Sequence, residues 1–215
     1  MIYNLSDKPS VLQSIIHQMR DKNIQNDSMR FRKNLERTGE IFAYEMSKRF
    51  SYKPIEVETQ LGTAKCFQLD EKLVLATILR AGIPFHQGFL NFFDDAENAF
   101  VSAYRRYSKD NTFDIHLQYT SSPDLDDKIL ILCDPMLATG SSAILAYEAL
   151  LEKGRPKHTH FASIIACKEG IENIRKHTSP EDVSIWVGAI DEELTVKSYI
   201  VPGLGDAGDL AYGGK

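Results

Sequence analysis

The chain has 215 residues, of which 43% are hydrophobic and 26% charged, and its formal net charge at pH 7 is −5. That length fits one α/β domain, and an acidic chain without a basic run argues against a general nucleic-acid surface. No apolar run approaches membrane-spanning length, and the start, MIYNLSDKPS, lacks a signal-peptide pattern. Cys66, Cys133 and Cys167 are widely spaced in apolar contexts, which predicts reduced core thiols in a cytoplasmic protein.

The first half of the chain predicts a long helix, two strands and a second helix. The long helix is capped by Asp27 or Ser28 and runs to about Phe50. Its apolar face has helical spacing and comprises Phe31, Leu35, Thr38, Phe42 and Met46. Residues 55–59 alternate like a half-exposed strand, and residues 73–79 form a buried strand that ends at Arg80. Pro84 then suits the first turn of the second helix.

The second half of the chain alternates strands with helices. Strands are predicted at residues 99–104, 129–133, 161–166 and 183–187, an antiparallel strand around Leu117, and helices at residues 143–150 and 169–177. This order predicts an α/β fold with a mostly parallel sheet and right-handed crossovers. Ligands should lie beyond the carboxyl ends of the strands, where Arg80, Arg105 and Asp134 fall. Without a linker or composition break, residues 1–215 are expected to form a single domain, with an N-terminal helical segment of about residues 1–50 packed on it.

Residues 128–150, KILILCDPMLATGSSAILAYEAL, contain the most informative motif. A buried strand at residues 129–133 ends at Asp134, and a loop of small and hydroxylated residues, 138–142, leads into a helix. Loop N–H groups and a helix N-terminus favour an anion, while the carboxylate can accept hydrogen bonds from a sugar diol. The combination suits a phosphorylated ribose. By itself, however, a strand followed by ATG and a helix is also an ordinary βα connection, which leaves phosphate binding open.

Four segments resemble the uracil phosphoribosyltransferases, in the same order along the chain. DPMLATGSS, residues 134–142, resembles the family's loop for 5-phosphoribosyl diphosphate (PRPP). TILRAG, residues 77–82, is similar to its PILRAG segment, and Tyr104-Arg105 resembles the YR pair before its mobile loop. YIVPGLGDAGD, residues 199–209, resembles its uracil-binding tail and is the most family-specific string. The PRPP loop alone indicates the type I superfamily, and the tail adds the uracil branch.

This resemblance implies the fold, the activity and the partners. The fold would be that of the type I phosphoribosyltransferases, a mostly parallel sheet flanked by helices, with a lid or hood from the mobile loop and the C-terminal tail. The activity would be transfer of the 5-phosphoribosyl group of PRPP to uracil, giving UMP and pyrophosphate. The partners would be these small molecules, without nucleic acid or membrane, and the chain would form a homo-oligomer, a dimer or higher. Mg²⁺ is expected as cofactor, bound mainly through PRPP without a protein metal site.

The resemblance also implies the site residues. The catalytic residues would be Asp134, Arg105 and Asp206. The PRPP-binding residues would be Arg80, Arg105, Asp134, Pro135, Met136, Leu137, Ala138, Thr139, Gly140, Ser141, Ser142 and Asp206. The uracil-binding residues would be Ile200, Gly205, Asp206 and Ala207. The polar stretch of residues 106–112 is interpreted as a closing lid.

Structural interpretations stand beside the functional ones. Arg80 and Arg105 could be surface ion-pair partners, and only their strand-end positions and the matching strings favour phosphate binding. Asp209 is interpreted as a turn residue and left out of the site. His158 and His160 alternate on a strand, but the sequence offers no third ligand, so packing is favoured over a zinc site.

Departures from the family pattern keep three alternatives open. Thr77 replaces proline, Ser141 replaces the second glycine of TGGS, Leu210 replaces a basic residue, and the lid lacks the family's usual pattern. One alternative is a phosphoribosyltransferase for another base. The second is a PRPP-binding regulator of pyrimidine genes that acts through RNA, against which the acidic balance argues. The third is an interaction protein that has lost catalysis, which only the altered lid supports.

Overall fold

The structure, a computed structural model, describes residues 1–107 and 113–214, with the side chains of residues 104–107 and 113–116 outside that description. The helices are α1 (Val11–Arg20), α2 (Ser28–Ser47), α3 (Gly82–Leu90), α4 (Ser141–Leu151), α5 (Lys168–His177) and α6 (Ala207–Tyr212). The strands of the main sheet are β1 (Ile2–Asn4), β4 (Leu73–Leu79), β5 (Glu97–Tyr107), β6 (Phe113–Ser121), β7 (Ile129–Cys133), β8 (Met136–Leu137), β9 (His158–Cys167) and β10 (Val183–Asp191). Two small antiparallel pairs join β2 (Tyr52–Thr59) to β3 (Gly62–Leu69) and β11 (Glu193–Leu194) to β12 (Ile200–Val201).

The main sheet has the order β1-β10-β9-β7-β4-β5-β6, with β8 pairing on β9. Its pairings are parallel except for β5 with β6, so the predicted α/β class and the antiparallel strand are confirmed. β7 is buried along its whole length, and it pairs with β4 so that Thr77 lies opposite Cys133. The carboxyl ends of these two central strands therefore lie side by side, which brings Arg80 and Asp134 to the same edge of the sheet.

Helices cover both faces of the sheet, over two hydrophobic clusters. All five residues of the predicted α2 face are buried. α2 packs closely on α3 because a Cβ on Gly39 would overlap the carbonyl oxygen of Phe85. The predicted end of α2 near Phe50 was too late: after Ser47 the chain tightens into i→i+3 hydrogen bonds, which bring Phe50 against Phe93 and His160.

The N-terminal helix α1 lies within the helical segment predicted for about residues 1–50, but no bounds of its own were predicted for it. The side chain of Ser10 caps it by accepting a hydrogen bond from the Leu12 backbone N–H. The residues that α1 buries are Leu12, Ile15, Ile16 and Met19. They belong to the same hydrophobic cluster as the α2 face and residues of β4 and β7, so α1 is anchored to the body of the protein.

The ribbon formed by β2 and β3 lies outside the main sheet. The predicted strand at residues 55–59 is part of β2, which pairs with β3 alone. The ribbon exposes Leu61 fully and Phe67 to 75%, so it leaves apolar surface open. Within the described part of the chain, no helix combines the length and the apolarity that crossing a membrane requires.

Candidate functional site

A cavity of about 440 Å³ opens at the carboxyl ends of β4 and β7. Four segments surround it: the end of β4, β5, the β7–α4 connection and the chain from Ser198 to Asp209. Asp134 and Arg80 contribute opposite charges to its walls, and the tail, residues 199–209, closes one side. Its position at this edge of a parallel sheet is where α/β folds bind ligands.

Asp134 enters the cavity directly from the buried strand β7. Its backbone N–H donates to the carbonyl oxygen of Ala162, which continues the ladder with β9. One carboxylate oxygen accepts a hydrogen bond from the Met136 N–H at 3.3 Å, and the residue is only half-buried. The carboxylate is thus held at a defined position with part of its surface open to the cavity.

The small-residue loop, residues 138–142, is shaped by close packing against α5. Gly140 has a positive φ of 82°, and a Cβ there would lie 2.9 Å from the Gly170 carbonyl oxygen. A Cβ on Gly170 would in turn overlap the carbonyl oxygen of Ala138. The Asn173 amide donates to the Thr139 carbonyl oxygen at 2.8 Å. α5 therefore fixes the loop backbone at the start of α4.

The hydroxyl groups of this loop cluster at the N-terminus of α4. The Thr139 and Ser141 hydroxyl oxygens are 3.1 Å apart, and the Ser141 N–H donates to Thr139 Oγ1 at 3.3 Å. The N-cap residue, Gly140, makes no side-chain cap. Backbone N–H groups and hydroxyls at an uncapped helix start are suited to an anion. Ser141, the departure from TGGS, thus adds a hydroxyl to this cluster.

Arg80 is held across the cavity by the C-terminal helix. Its Nη2 lies 3.0 Å from Asp209 Oδ1, and its Nη1 donates to the Gly213 carbonyl oxygen at 3.3 Å. The Arg80 side chain remains 34% exposed. The chain needs glycine at position 82, because a Cβ there would overlap the hydroxyl of Thr77, where β4 lies beside β7. Asp209, interpreted from sequence as a turn residue only, is therefore the partner of a predicted site arginine.

The tail brings backbone groups and one carboxylate to the same cavity. Ile200 is 4% exposed and anchors the tail, and Gly205 has a φ of 92°. Asp206 caps α6, with its Oδ1 accepting from the Asp209 N–H at 3.0 Å. Gly205 and Gly208 line the cavity, and since glycine has no side chain, the tail backbone is accessible there. The tail therefore offers N–H and C=O groups to a ligand.

Among the described residues, most of the predicted site converges on this cavity. The predicted residues that line it are Arg80, Asp134, Met136, Ala138, Ser142, Ile200, Gly205, Asp206 and Ala207. Pro135 and Leu137 are buried beneath the loop, with the Pro135 carbonyl oxygen accepting from Ile164 and Ile165. Thr139, Gly140 and Ser141 complete the loop beside the cavity. The Arg105 side chain and residues 108–112 of the predicted lid lie outside the described residues.

The chemistry of the site rests on charges and backbone dipoles. Burial raises the pKa of the Cys133 thiol well above its ordinary value, and the neighbouring Asp134 charge raises this pKa further. Cys133 therefore stays a neutral thiol and is unsuited to attack as a thiolate.

No group of three or more His, Cys, Asp or Glu side chains forms a metal cage within the described part of the chain. Asp134, Asp206 and Asp209 contribute carboxylate oxygens, which are hard donors, to the cavity lining.

Sequence similarity and structural similarity to known proteins extend over the whole chain. The family model described as uracil phosphoribosyltransferase matches residues 6–214. A protein named uracil phosphoribosyltransferase from Porphyromonas gingivalis is 56% identical over 214 residues, covering 100% of this chain and 99% of its own. One of the same name from Thermococcus gammatolerans is 39% identical over 215 residues, covering 99% of this chain and 93% of its own. The solved AQ2163 protein from Aquifex aeolicus matches with a TM-score of 0.87 and 32% identity, over 99% and 98% of the two chains.

Proposed function

The chain belongs to the uracil phosphoribosyltransferase family, and we propose that its cavity transfers the 5-phosphoribosyl group of PRPP to uracil, releasing UMP and pyrophosphate. One observation carries the assignment of the site. The Asp134 carboxylate, the N-terminus of α4 and the backbone of the tail all border a single cavity of about 440 Å³. These three elements match the ribose, the 5-phosphate and the base.

The reaction requires positioning and charge stabilisation more than a protein nucleophile. The N1 nitrogen of uracil attacks C1 of the phosphoribosyl group and loses its proton to solvent, the C1–O bond to diphosphate breaks, and negative charge builds up on the leaving group. We assign Asp134 to the ribose hydroxyls and the loop of residues 138–142 to the 5-phosphate. Asp206 faces both substrates from the tail. Arg105 is assigned to the diphosphate from the family resemblance alone.

Arg80 is assigned to the diphosphate because a guanidinium fork matches phosphate geometry. It lines the cavity and is partly exposed, so a ligand can reach it. Its present partner is the Asp209 carboxylate at 3.0 Å. Diphosphate oxygens would therefore compete with Asp209 for the same N–H groups, which links PRPP binding to the tail.

Base recognition is assigned to the backbone of Ile200 and of Gly205-Asp206-Ala207. Uracil presents an N3–H donor between two carbonyl acceptors, which a C=O between N–H groups complements. Cytosine reverses two of these contacts, and buried unpaired polar groups cost about 1–3 kcal/mol each. A backbone cannot rotate to correct the mismatch. We expect uracil to be preferred over cytosine by about 10³–10⁵-fold in kcat/KM.

Magnesium fits the donor set of this cavity. Mg²⁺ prefers substrate phosphates, waters and one or two carboxylates over a cage made only of protein. Asp134 and Asp206, which line the cavity, could supply such a carboxylate. When bound, the ion would neutralise charge on the diphosphate.

The decisive assay follows UMP formation from labelled uracil, with and without PRPP and Mg²⁺. We expect product only when both are present. Parallel measurements with uracil, 5-fluorouracil and cytosine then test the base. 5-Fluorouracil keeps the hydrogen-bonding edge and should react, whereas cytosine within tenfold of uracil would contradict the assignment and favour a transferase for another base.

We also propose a single domain, a homo-oligomer and a cytoplasmic location. The shared hydrophobic cluster of α1, α2, β4 and β7 supports one domain with residues 1–50 packed on it. Phe67, 75% exposed on the ribbon, is the apolar side chain that we propose a second copy of the chain covers. Cys133 and Cys167 are buried free thiols, as predicted, whereas Cys66 is only half-buried on the ribbon, so the prediction of a core thiol was wrong there. Free thiols support a reducing compartment. Light scattering of the wild type and of Phe67→Ser tests the oligomer.

A further inference from the structure

The turn at Gly203 in the tail is held by side chains from two distant parts of the chain. Asp191, at the end of β10, accepts a hydrogen bond from the Gly203 N–H at 2.9 Å. Arg20, at the end of α1, donates to the Gly203 carbonyl oxygen at 2.8 Å. The donor and the acceptor of one glycine are thus both bound by side chains.

Arg20 and Asp191 also bind each other in a two-point ion pair. The Arg20 Nη1–Asp191 Oδ2 and Nη2–Asp191 Oδ1 distances are 2.7 and 2.8 Å. The Asp191 side chain is 7% exposed and that of Arg20 is 23% exposed. Bidentate, charge-assisted hydrogen bonds between partly buried side chains fix the relative orientation of the two groups as well as their distance. The pair is therefore a rigid clamp on the Gly203 peptide groups.

The clamp acts on the segment to which base recognition is assigned. Gly203 lies between Ile200 and Gly205, and its φ of 55° with no room for a Cβ beside the Ile200 carbonyl restricts it to glycine. Ordering a backbone segment costs conformational entropy. A backbone that reads a base must be held before the base arrives, since misplaced groups lose specificity.

Both ends of the clamp are anchored in the protein core. Arg20 extends from α1, whose Met19 is fully buried, and its cationic side chain lies at the favourable C-terminal end of that helix. Asp191 is the last residue of β10 and pairs with Cys167 of β9. The clamp thus fixes the position of the Gly203 turn relative to the core.

We propose that Arg20 and Asp191 are positioning residues for base recognition, which hold the Gly203 turn so that the tail backbone faces the base. This inference rests on the proposed function. Neither residue lines the cavity, so both act through the tail, without touching the substrates.

The test compares Arg20→Lys and Asp191→Asn with the wild type in steady-state kinetics. We expect the KM for uracil to rise about tenfold or more, the scale of one charge-assisted hydrogen bond, with the KM for PRPP within about twofold. The kcat/KM preference for uracil over cytosine should shrink by a similar factor. Glu192→Gln is the matched control, because Glu192 adjoins Asp191 and its carboxylate pairs with the exposed Lys168 at 2.6 Å. This variant should keep wild-type constants.

The outcomes separate this proposal from the proposed function. An active wild type whose clamp variants keep its uracil KM and its base preference would overturn the positioning role alone. Equal losses for both substrates with a lower melting temperature would also overturn it, since they indicate a purely structural pair. If Asp191→Asn does not fold, Arg20→Lys decides, because it keeps the charge at the more exposed position. A wild type that forms no UMP would overturn both.

Discussion

At the carboxyl ends of β4 and β7, charged side chains meet across an open cavity, whereas at the amino ends of β9 and β10 neutral rings pack in a buried cluster. The first region holds Arg80 and Asp134, both partly exposed. In the second region, His160 accepts a hydrogen bond from Trp186 Nε1 at 3.1 Å and lies against the ring of Phe50. Tyr3 of β1 stacks on Trp186, with ring centroids 4.0 Å apart.

The two ends of one sheet thus have different physical roles. At the carboxyl end, groups keep charge and exposure that a ligand can use, and ligand-free pairs such as Arg80–Asp209 contribute little to stability. At the amino end, burial lowers the pKa of His160 and so keeps its ring neutral near pH 7, and the ring cluster supports folding. Substitutions of the exposed charged residues at the carboxyl end should therefore change kinetics more than stability, and substitutions in the ring cluster at the amino end should change stability.

The largest expected effect is that of Asp134→Asn. Losing the charged acceptor for the ribose hydroxyls should lower kcat/KM for PRPP by an amount equivalent to about 2–3 kcal/mol. The melting temperature should stay near that of the wild type, because the residue is only half-buried. The control is Asp182→Asn, which removes an exposed carboxylate just before β10. Wild-type kinetics in a folded Asp134→Asn protein would refute the assignment of Asp134.

A second prediction concerns the pH dependence of stability at the amino end. Burial, together with the nearby charges of His158 and the N-terminal amine, lowers the pKa of His160 from 6.5 to about 3. Below pH 6.5 the unfolded chain binds a proton that the folded chain does not, so stability falls as the pH is lowered. Between pH 6.5 and pH 5 the loss should be about 2 kcal/mol from this residue.

The measurement is urea unfolding at several pH values for the wild type and for His160→Phe, which cannot titrate. The variant loses the Trp186 hydrogen bond, so it should be less stable at pH 8, but its stability should fall less between pH 6.5 and pH 5. Its kcat/KM should match that of the wild type. Parallel pH curves for the two proteins would show that His160 is not the titrating group.

The parts of the fold that could be predicted from sequence are those specified by local pattern. The continuous apolar runs of β4 and β7 marked the two central strands, and the motif that follows β7 placed Asp134 correctly at a strand end. By contrast, β3 alternates weakly and is mostly exposed, so its sequence carries little burial signal. The short strand β1 is defined only by pairing with β10, which lies near the other end of the chain.

The parts of the site that sequence missed depend on distant partners. Arg20 and Asp191 are 171 positions apart, and neither lies in a motif. Asp209 fits a turn residue by type, and only the folded chain brings it to Arg80, 129 positions away. The need for glycine at position 170 comes from the Ala138 carbonyl oxygen, which local sequence does not reveal.

A smaller effect is expected for Gly170→Ala, which tests whether packing alone positions the loop at the carboxyl end. The new Cβ would overlap the Ala138 carbonyl oxygen, and overpacking costs about 1–3 kcal/mol of stability. Because the loop must shift, the KM for PRPP should rise more than the KM for uracil. Gly214→Ala is the control, since a Cβ there meets nothing within 4 Å. An equal rise in both constants would mean that α5 does not position the loop selectively.

The smallest expected effect is that of Asp209→Asn, and its sign separates two roles for the Arg80–Asp209 pair. Both side chains are partly exposed, at 34% and 49%, so the stability should change by about 0.5 kcal/mol or less. If Asp209 competes with diphosphate for Arg80, its neutralisation should lower the KM for PRPP about two- to threefold, equivalent to about 0.5 kcal/mol. Glu45→Gln, which breaks the similarly exposed Lys48–Glu45 pair far from the cavity, should leave the KM for PRPP unchanged. A higher KM for PRPP in Asp209→Asn would mean that the carboxylate orients Arg80 for its substrate, and the competition model would then be wrong.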